Sequence, residues 1–438
     1  MYHFIGIGGV GMAAVAELLA ARGHEISGSD RAESANLDHL RALGVTCTVG
    51  HDAAAVDPSA TVVRSSAISP DNPELTVAAE RGQRIIHRSE ALALAAADRR
   101  FIAVAGAHGK STVSAMISHV LLESGQDPSW AFGATMKGSS GARLGAGDAF
   151  VAEADESDGS FLNYRPEIEV VTTIEPDHLD HYGSTEAFEE AFTRFADLRT
   201  GPLIACSDDP GARRLLERAT GTRWAYGTEP YEGAETKIDL IMHTPRTASI
   251  RCAGERVNLT LLQPGEHNLR NACAAWAAAR ALGIDPEVAA DALATFPGIS
   301  RRMEVVGEKN GVRVIDDYAH HPSEVAATID ALRAENRRLL VLFQPHLYSR
   351  TRIFAERFAA ALDTADEVIV TGVYGAREEP EEGVDGDLIT RAMTRGRFIA
   401  DRFEAADEIA RSARDGDIVC TMGAGNVTEL GRRILEAL

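Results

Sequence analysis

The chain has 438 residues, a length that predicts two to three domains rather than one core. Its formal net charge of −21 argues against nucleic acid and anionic membrane surfaces as partners, because both would repel it at long range. The five cysteines show no CxxC or metal-ligand spacing, and we interpret them as reduced core residues of a cytoplasmic protein.

The N-terminal segment has the pattern of a site for a nucleotide diphosphate. A predicted strand, Tyr2 to Ile7, runs into a G-x-G-x-x-G turn, a helix and a second strand that ends in Asp30. NAD, FAD and a UDP-sugar present the same pyrophosphate to such a helix end, so the motif alone does not choose among them. The candidate residues are Gly8, Gly9, Val10, Gly11 and Asp30.

The apolar N-terminus raises the question of a leader peptide. It has no basic region, and glycines interrupt it where a helix should run, so we expect no leader. No stretch approaches the ~20 uninterrupted apolar residues of a membrane span.

Two further polar segments are predicted at strand ends of the same unit. They are Thr61 to Ser69 and Arg84 to Leu92, and each is read either as part of the ligand edge or as an ordinary polar loop. Their candidate binding residues are Ser65, Ser66 and Arg88.

The stretch FIAVAGAHGKST organises the middle of the chain. Phe101 to Ala105 form a short apolar strand, a glycine turn follows, and a helix opens at Lys110. Such a turn directs backbone N–H groups and one ammonium at a phosphate, and the hydroxyl of Ser111 suits Mg²⁺. The loop is the shorter G-x-x-G-K-S form, since Val104 stands where the common P-loop has glycine. The candidate ATP residues are Gly106, Ala107, His108, Gly109, Lys110, Ser111 and Thr112.

Two acidic clusters follow predicted strands beside this loop. The first strand, Phe150 to Ala152, ends in acidic residues, and so does the second, Val170 to Ile174. Because the carboxyl ends of parallel strands share one edge, both clusters are expected to face the phosphates and to suit Mg²⁺. The clusters are Glu153, Asp155, Glu156 and Asp158, and Glu175, Asp177, His178, Asp180 and His181.

A pair of asparagines opens a later helix. Asn268 and Asn271 are three residues apart and would lie on one helical face, where amides can read the edge of a base. The alternative is that Asn268 is only the N-cap of the helix.

A third α/β unit starts near Phe296. His320, His321 and Pro322 precede a helix that we expect to be capped by Ser323. The predicted fold is α/β with three domains: a Rossmann-like domain at 1–97, a central P-loop ATPase-type domain at 98–296 and a Rossmann-like domain at 297–438. The candidate residues at the edge of the third sheet are Arg302, Asp317, Tyr318, His320, His321, His346 and Arg350.

Taken together, these motifs resemble the Mur ligase family. The co-linear matches are GIGGVGM, GAHGKST, EADESD, EPDHLDHY, GEHNLRN, SRRME, DDYAHHPSE, FQPHLYSRTR and GAGN. The resemblance implies an ATP-dependent amide ligase of cell-wall precursor synthesis that joins L-alanine to UDP-N-acetylmuramate through an acyl phosphate.

The resemblance also implies roles for individual residues. The N-terminal turn would bind the uridine diphosphate, Lys110 the β- and γ-phosphates, and Ser111 one Mg²⁺. Glu153 and His178 match residues of a second metal site, and Asn268 and Asn271 match residues near the adenine. Arg302 and Asp317 match residues that reach ATP when the third domain closes.

The amino-acid end is less well defined. Arg350 would pair with the alanine carboxylate, and Tyr318, His320, His321 and His346 are further candidates. Many relatives have arginine where this chain has Leu347, which cannot bind a carboxylate.

A lysine is absent where several ligases of the family carry a carbamylated lysine. That position falls near Thr193, and no lysine occurs between Lys137 and Lys237. Alanine-adding members resemble this chain in doing without it.

Three alternatives to an alanine-adding ligase account for parts of this sequence. The first is a sibling ligase that adds another amino acid or a peptide to the same UDP-sugar. The second is an NAD-dependent dehydrogenase, which leaves the P-loop without a purpose. The third is a non-catalytic ATP-driven switch, which leaves the two acidic clusters unexplained.

Overall fold

The computed structural model describes residues 1–136, 141–176, 178–229, 231–376 and 378–438. Three β-sheets follow one another along the chain, each packed with helices, so the predicted three-domain α/β architecture is confirmed. In the described part of the chain, no helix is both long and apolar enough to cross a membrane.

The first sheet is fully parallel and positions the N-terminal glycine turn. Its strands are β1 (Tyr2–Ile5), β2 (Ile26–Asp30), β3 (Thr46–Val49), β4 (Thr61–Arg64) and β5 (Ile85–His87), in the order β3-β2-β1-β4-β5. Its helices are α1 (Val10–Ala21), α2 (Ala35–Ala42), α3 (Pro73–Glu80) and α4 (Arg88–Ala96). Strand order reverses beside β1, which is where ligands bind in open α/β sheets.

The second sheet has ten strands. They are β6 (Arg100–Ala105), β7 (Ser129–Ala131), β8 (Ala142–Arg143), β9 (Ala149–Glu153), β10 (Ile168–Val171), β11 (Leu203–Cys206), β12 (Arg223–Gly227), β13 (Thr236–Thr244), β14 (Thr247–Cys252) and β15 (Glu255–Thr260). The order is β15-β14-β13-β12-β11-β10-β6-β9-β7-β8. Its helices are α5 (Lys110–Glu123), α6 (Leu179–Tyr182), α7 (Thr185–Ala196), α8 (Pro210–Arg218), α9 (Glu266–Ala281) and α10 (Pro286–Ala294). The P-loop strand β6 therefore lies between β9 and β10, parallel to both, and these are the two strands that lead into the acidic clusters.

The third sheet is parallel except for one edge strand. Its strands are β16 (Glu304–Lys309), β17 (Val312–Asp317), β18 (Leu339–Phe343), β19 (Glu367–Val370), β20 (Arg397–Phe398) and β21 (Ile418–Met422), in the order β16-β17-β21-β18-β19-β20. Its helices are α11 (Pro322–Arg333), α12 (Tyr348–Leu362), α13 (Asp387–Thr390), α14 (Arg402–Ser412) and α15 (Leu430–Ala437).

Strand β18 is apolar along its whole length because both of its faces are buried. Leu339, Val341 and Phe343 pack into the core on one face of the sheet, while Leu340 and Leu342 pack into the core on the other face. A parallel strand covered by helices on both faces has no solvent side, so polar residues do not alternate along it.

By compactness the chain divides into two units. The first comprises Met1–Ile241, Ala248–Thr260 and Arg270–Phe296, and the second comprises Met242–Thr247, Leu261–Leu269 and Pro297–Leu438. The boundaries at residues 97 and 296 stay a prediction.

Two local expectations are wrong. Helix α11 is capped by His321, not Ser323, because Pro322 takes the first helical position and the imidazole accepts the N–H of Ser323. All five cysteines are free, but Cys47 and Cys252 are only half-buried, because Cys47 lies on the edge strand β3 and Cys252 ends β14 at a turn.

Glu169 is an unusual residue for the middle of a sheet. It lies on β10 opposite Ala103 of β6 and Leu203 of β11, and it is fully buried. Among the described residues, neither of its carboxylate oxygens has a hydrogen-bond partner. Burial raises the pKa of Glu169 to about 8, although the charge of Arg199 opposes the shift. Folding therefore carries a penalty for this carboxyl at neutral pH.

We expect Glu169→Leu to stabilise the protein. The folded-state pKa lies above the ordinary value, so the wild type loses stability as pH rises from about 4.5 to about 8, by up to about 1.4 kcal/mol per pH unit. At pH 7.5 the free energy of unfolding of the variant should exceed that of the wild type by about 2 kcal/mol. Between pH 5 and 8 its thermal midpoint should change less than that of the wild type. Glu167→Gln is the control, because it changes a carboxylate that is paired with Arg100. It should leave the pH dependence of the thermal midpoint as it is in the wild type. A less stable Glu169→Leu variant would contradict this account.

Candidate functional site

The glycine turn after β1 is held in shape by the side chain that ends β2. Gly6 has φ +78°, and the N–H of Gly8 donates to Asp30 Oδ2 at 2.9 Å. The amide of Asn36 donates to the carbonyl of Gly8 at 2.8 Å. Helix α1 begins at Val10 and carries no acidic residue in its own first turn, and the start of a helix offers N–H groups to an anion.

Arg88 lies directly against this turn. A Cβ added to Gly11 would come within 2.0 Å of Arg88 Nη1, so only glycine leaves the guanidinium its present place. Arg88 Nη2 is 3.4 Å from Asp155 Oδ2 of the first acidic cluster. The structure thus brings together the turn, Arg88 and an acidic segment that follows the P-loop in sequence.

Ser66 and the same acidic segment meet a little further along the edge. The hydroxyl of Ser66 donates to Asp158 Oδ2, and His87 Nε2 lies 3.6 Å from that oxygen. Ser65 follows β4, is half-buried and accepts the N–H of Ile68 through its carbonyl at 3.2 Å.

The P-loop is joined to the end of β10. The N–H of Ala107 donates to the Thr173 carbonyl at 2.9 Å, and the N–H of His108 donates to Thr173 Oγ1 at 3.0 Å. Strand β10 ends at Val171 rather than at the expected Ile174, because Thr172 and Thr173 turn toward the loop. Gly109, with φ +84°, is the N-cap of α5 and has no side chain to cap the helix, so the first N–H groups of α5 can bind an anion.

Gly106 is the residue of this loop that tolerates no side chain. Its φ is +130°, and an added Cβ would lie 2.3 Å from Thr172 Oγ1 and 2.8 Å from the Thr173 carbonyl. We expect Gly106→Ala to separate the loop from β10, to lower the free energy of unfolding by roughly 2 kcal/mol or more and to abolish nucleotide binding, measured by calorimetry. The control is Gly125→Ala, which has φ +74° but open space around it. It should lose about 1 kcal/mol and keep binding, and equal behaviour of the two variants would contradict the prediction.

Lys110 is held by a buried carboxylate. Its Nζ lies 3.0 Å from Glu156 Oε1 and 2.9 Å from Oε2, and it donates to the Gly106 carbonyl at 2.6 Å. Burial would lower the pKa of Lys110, but the charges of Glu156 and Asp155 outweigh it and raise that pKa. The lysine is therefore charged and already paired.

The proposed metal ligands come from separate elements of the central sheet. Glu153 ends β9, opposite Val104 of the P-loop strand, and its Oε1 accepts the N–H of Gly133 at 2.8 Å. Ser111 is the second residue of α5, and His178 has a left-handed backbone with φ +53°. In the second cluster Glu175 Oε2 lies 3.1 Å from His108 Nε2. Asp177 and the side chain of Asp180 lie outside the described residues.

The two asparagines of α9 have different surroundings. Asn271 packs at the P-loop, since a Cβ on Gly109 would lie 2.7 Å from Asn271 Oδ1. Asn268 Nδ2 donates to the Pro264 carbonyl at 2.8 Å and contacts the sulfur of Met303. Because α9 begins at Glu266, Asn268 is not its N-cap.

In the second unit, the buried carboxylate of Asp317 accepts three hydrogen bonds. It accepts the N–H groups of Met303 and Ala319, both at 2.8 Å, and the hydroxyl of Thr328 at 3.2 Å. Burial raises the pKa of Asp317, although Arg302 opposes the shift. Arg302 Nη1 itself lies 3.2 Å from Glu324 Oε1.

Sequence reasoning missed Arg301, which is bound more fully than its neighbour. Its guanidinium donates to the carbonyls of Gly423 and Gly425 and contacts Asp316, and so it fixes the terminal glycine turn to the end of β17. The ring of Tyr318 lies within 4.7 Å of the Arg301 guanidinium and 5.4 Å of the Arg302 guanidinium. The adjacent arginines of SRRME were the available signal.

The candidate residues of the amino-acid end cluster around the ends of β17 and β18. His320 Nδ1 contacts the Tyr318 carbonyl at 2.9 Å and Glu324 Oε2 at 3.3 Å, and its ring lies 5.8 Å from that of His346. Burial lowers the pKa of His320, although the charge of Glu324 opposes the shift. The lowered pKa favours a neutral imidazole. Arg350 is buried on α12, and His321 forms a capping box with Glu324. Leu347 has φ +69°, an uncommon backbone for leucine, and caps α12.

Three family models match successive parts of the chain. They describe the Mur ligase family catalytic domain at residues 1–100, the Mur ligase middle domain at 104–279 and the Mur ligase glutamate ligase domain at 301–425.

Known proteins match over the whole length. A UDP-N-acetylmuramate–L-alanine ligase of Renibacterium salmoninarum is 51% identical, covering 100% of this chain and 95% of the relative, and one of Thermobifida fusca is 48% identical, covering 100% and 96%. The crystal structure of a UDP-N-acetylmuramate–alanine ligase of Thermotoga maritima matches with a TM-score of 0.80 and 28% identity, covering 99% of this chain and 98% of that one. A murein peptide ligase of Psychrobacter arcticus, at 24% identity and a TM-score of 0.72 with 100% and 98% covered, shares the fold.

Proposed function

The chain belongs to the Mur ligase family, and we propose that it joins L-alanine to the carboxylate of UDP-N-acetylmuramate, converting ATP to ADP and phosphate. The observation that carries this function is the 51% identity with an L-alanine ligase over the entire chain. The enzyme is an ATP-dependent amide ligase of peptidoglycan precursor synthesis. The same similarity argues against the NAD-dependent dehydrogenase and the non-catalytic ATP-driven switch.

The site residues divide between the two nucleotides. We assign the sugar nucleotide to Gly8, Gly9, Val10, Gly11, Asp30, Ser65, Ser66 and Arg88. We assign ATP to residues 106–112, Asn268, Asn271 and Arg302. The placement of Arg88 against Gly11 supports the first assignment, because an arginine and a helix N-terminus offer two kinds of donor to one diphosphate. The roles of Arg302 and Asp317 toward ATP stay predictions.

The reaction needs activation of a carboxylate, which is a poor electrophile. A carboxylate oxygen of the lactyl group takes the γ-phosphoryl group of ATP, and ADP leaves. The amine of L-alanine then attacks the carbonyl carbon of the acyl phosphate, the bond to the phosphate oxygen breaks, and the ammonium proton is lost. Lys110 offsets charge on the phosphates during transfer.

Mg²⁺ is the cofactor that we propose beside ATP. Ser111, Glu153 and His178 would hold it, and the hydroxyl and carboxylate among them are the hard oxygen donors that Mg²⁺ prefers. Glu153 fits this role because β9 pairs directly with the P-loop strand. The ion would supply positive charge to the phosphates.

The amino-acid end belongs to the third sheet. We propose that Arg350 pairs with the alanine carboxylate and that Tyr318, His320, His321 and His346 surround it. The nearness of the His320 and His346 rings supports a common site. We also propose a cytoplasmic location, which the five free cysteines support.

One assay tests the proposed function. Phosphate release is measured with UDP-N-acetylmuramate, ATP and L-alanine, and with each omitted in turn. Release that needs all three supports ligation, and release without L-alanine refutes it. Replacing L-alanine by glycine, L-serine or a tripeptide separates this enzyme from a sibling ligase.

A further inference from the structure

The acidic segment 155–158 contacts Lys110 of the P-loop on one side and Arg88 and Ser66 on the other, all within the first compact unit. Glu156 is 2% exposed and directs both carboxylate oxygens at Lys110. A buried carboxylate and a half-buried ammonium at this distance are hard to separate without a replacement partner. The ammonium that we assign to the phosphates is thus paired with Glu156 in this structure.

The segment is fixed from several sides, so the backbone at Glu156 is held in place. The hydroxyl of Tyr182 and the N–H of Gly159 both donate to the carbonyl of Glu156. Asp155 contacts Arg88, and Asp158 accepts a hydrogen bond from Ser66. Lys110, in contrast, reaches Glu156 through a flexible four-carbon stem from the first residue of α5. The lysine is therefore the partner that moves.

We propose that Glu156 is a positioning residue of the P-loop: it holds Lys110 in the nucleotide-free protein and yields it to the phosphates when ATP binds. This inference rests on the proposed function, in which Lys110 binds ATP. Glu156 competes with the nucleotide for one ammonium and keeps that ammonium at the loop, where it also donates to the Gly106 carbonyl.

The competition predicts that Glu156→Gln binds nucleotide more tightly. The variant no longer gives up a charge-assisted hydrogen bond in the free state, so its affinity for ADP and for ATP in EDTA should rise roughly tenfold. Calorimetric titration measures this. Glu167→Gln makes the same change at a carboxylate that pairs with Arg100 at the start of the P-loop strand, and it should bind like the wild type.

A second readout separates this role from a merely structural one. Glu156→Asp keeps the charge opposite Lys110, so it should bind ADP with nearly the wild-type affinity rather than with the higher affinity of Glu156→Gln. A residue that only supported the fold would not respond to charge in this way. The aspartate variant also serves if the glutamine variant folds poorly.

The outcomes distinguish the two proposals. If the wild type binds neither ADP nor ATP, the proposed function fails and this inference fails with it. If the wild type binds both and Glu156→Gln binds them with unchanged or weaker affinity, only the role of Glu156 is refuted. Weaker binding of Glu156→Gln in Mg²⁺ alone, with unchanged binding in EDTA, would make Glu156 a metal ligand and overturn the proposal.

Discussion

Lys110→Ala is expected to abolish ligation while leaving the sugar nucleotide bound. The variant removes the one ammonium at the P-loop, and loss of such an electrostatic contact lowers kcat by roughly 10³-fold. We assign the sugar nucleotide to the glycine turn of the first sheet and not to the P-loop, so the affinity for UDP-N-acetylmuramate should change less than about threefold by calorimetry, a small electrostatic effect. Parallel loss of sugar-nucleotide affinity and activity would contradict this division of labour.

Stability must be followed in the same experiment. Removing the lysine leaves Glu156 buried without its partner, which costs about 3 kcal/mol or more. The double variant Lys110→Ala with Glu156→Gln removes that penalty and should regain most of the thermal midpoint. Its activity should stay lost, because no ammonium is restored.

The local pattern around the P-loop was sufficient to predict its structure. A short apolar run, two glycines and a helical repeat each favour one conformation, and the structure has β6, the turn and α5 in those places. The flanking strands were also predictable, because a parallel sheet puts the carboxyl ends of β9 and β10 at the edge of β6. The position of Lys110 beside Glu156 was not, since it depends on contacts 46 residues apart in sequence.

Histidines show a different limit of sequence reasoning. His87 and His321 each form a capping box with a glutamate three residues later, although capping boxes usually begin with serine or threonine. The sequence places His321 at the amino-acid end, and its capping box and its ring contact with Phe354 give it a structural role as well. A side chain that can accept at one ring nitrogen and donate at the other fits either role, and only its surroundings decide.

Arg301 and Arg302 show the same dependence on tertiary context. The two are adjacent and chemically identical, yet one binds the glycine turn after β21 and the other pairs with Glu324 on α11. Arg301 and Met303 both have positive φ, a backbone conformation that is strained for residues other than glycine. No local sequence preference favours it. The surrounding hydrogen bonds to Asp317 and Tyr318 select it.

The last prediction concerns the metal site and the missing lysine. In this chain the position of a carbamylated lysine falls near Thr193 on α7, whose hydroxyl donates to the carbonyl of Glu189 in its own helix at 3.2 Å. No lysine lies between residues 137 and 237, so no carbamate can form there. Glu153, His178 and water would then complete the shell of the ion, since Mg²⁺ readily keeps water ligands.

We therefore expect Glu153→Ala to lose activity by roughly 10²-fold or more and bicarbonate to restore none of it. Glu153→Gln is the matched control, because its amide oxygen can still accept the N–H of Gly133 while the charge is gone. It should fold like the wild type and remain almost as inactive as the alanine variant. The wild type should be indifferent to bicarbonate after CO₂ depletion, as measured by phosphate release. Clear stimulation by bicarbonate would mean that a carbamate does form, and would favour a sibling ligase over an alanine-adding one.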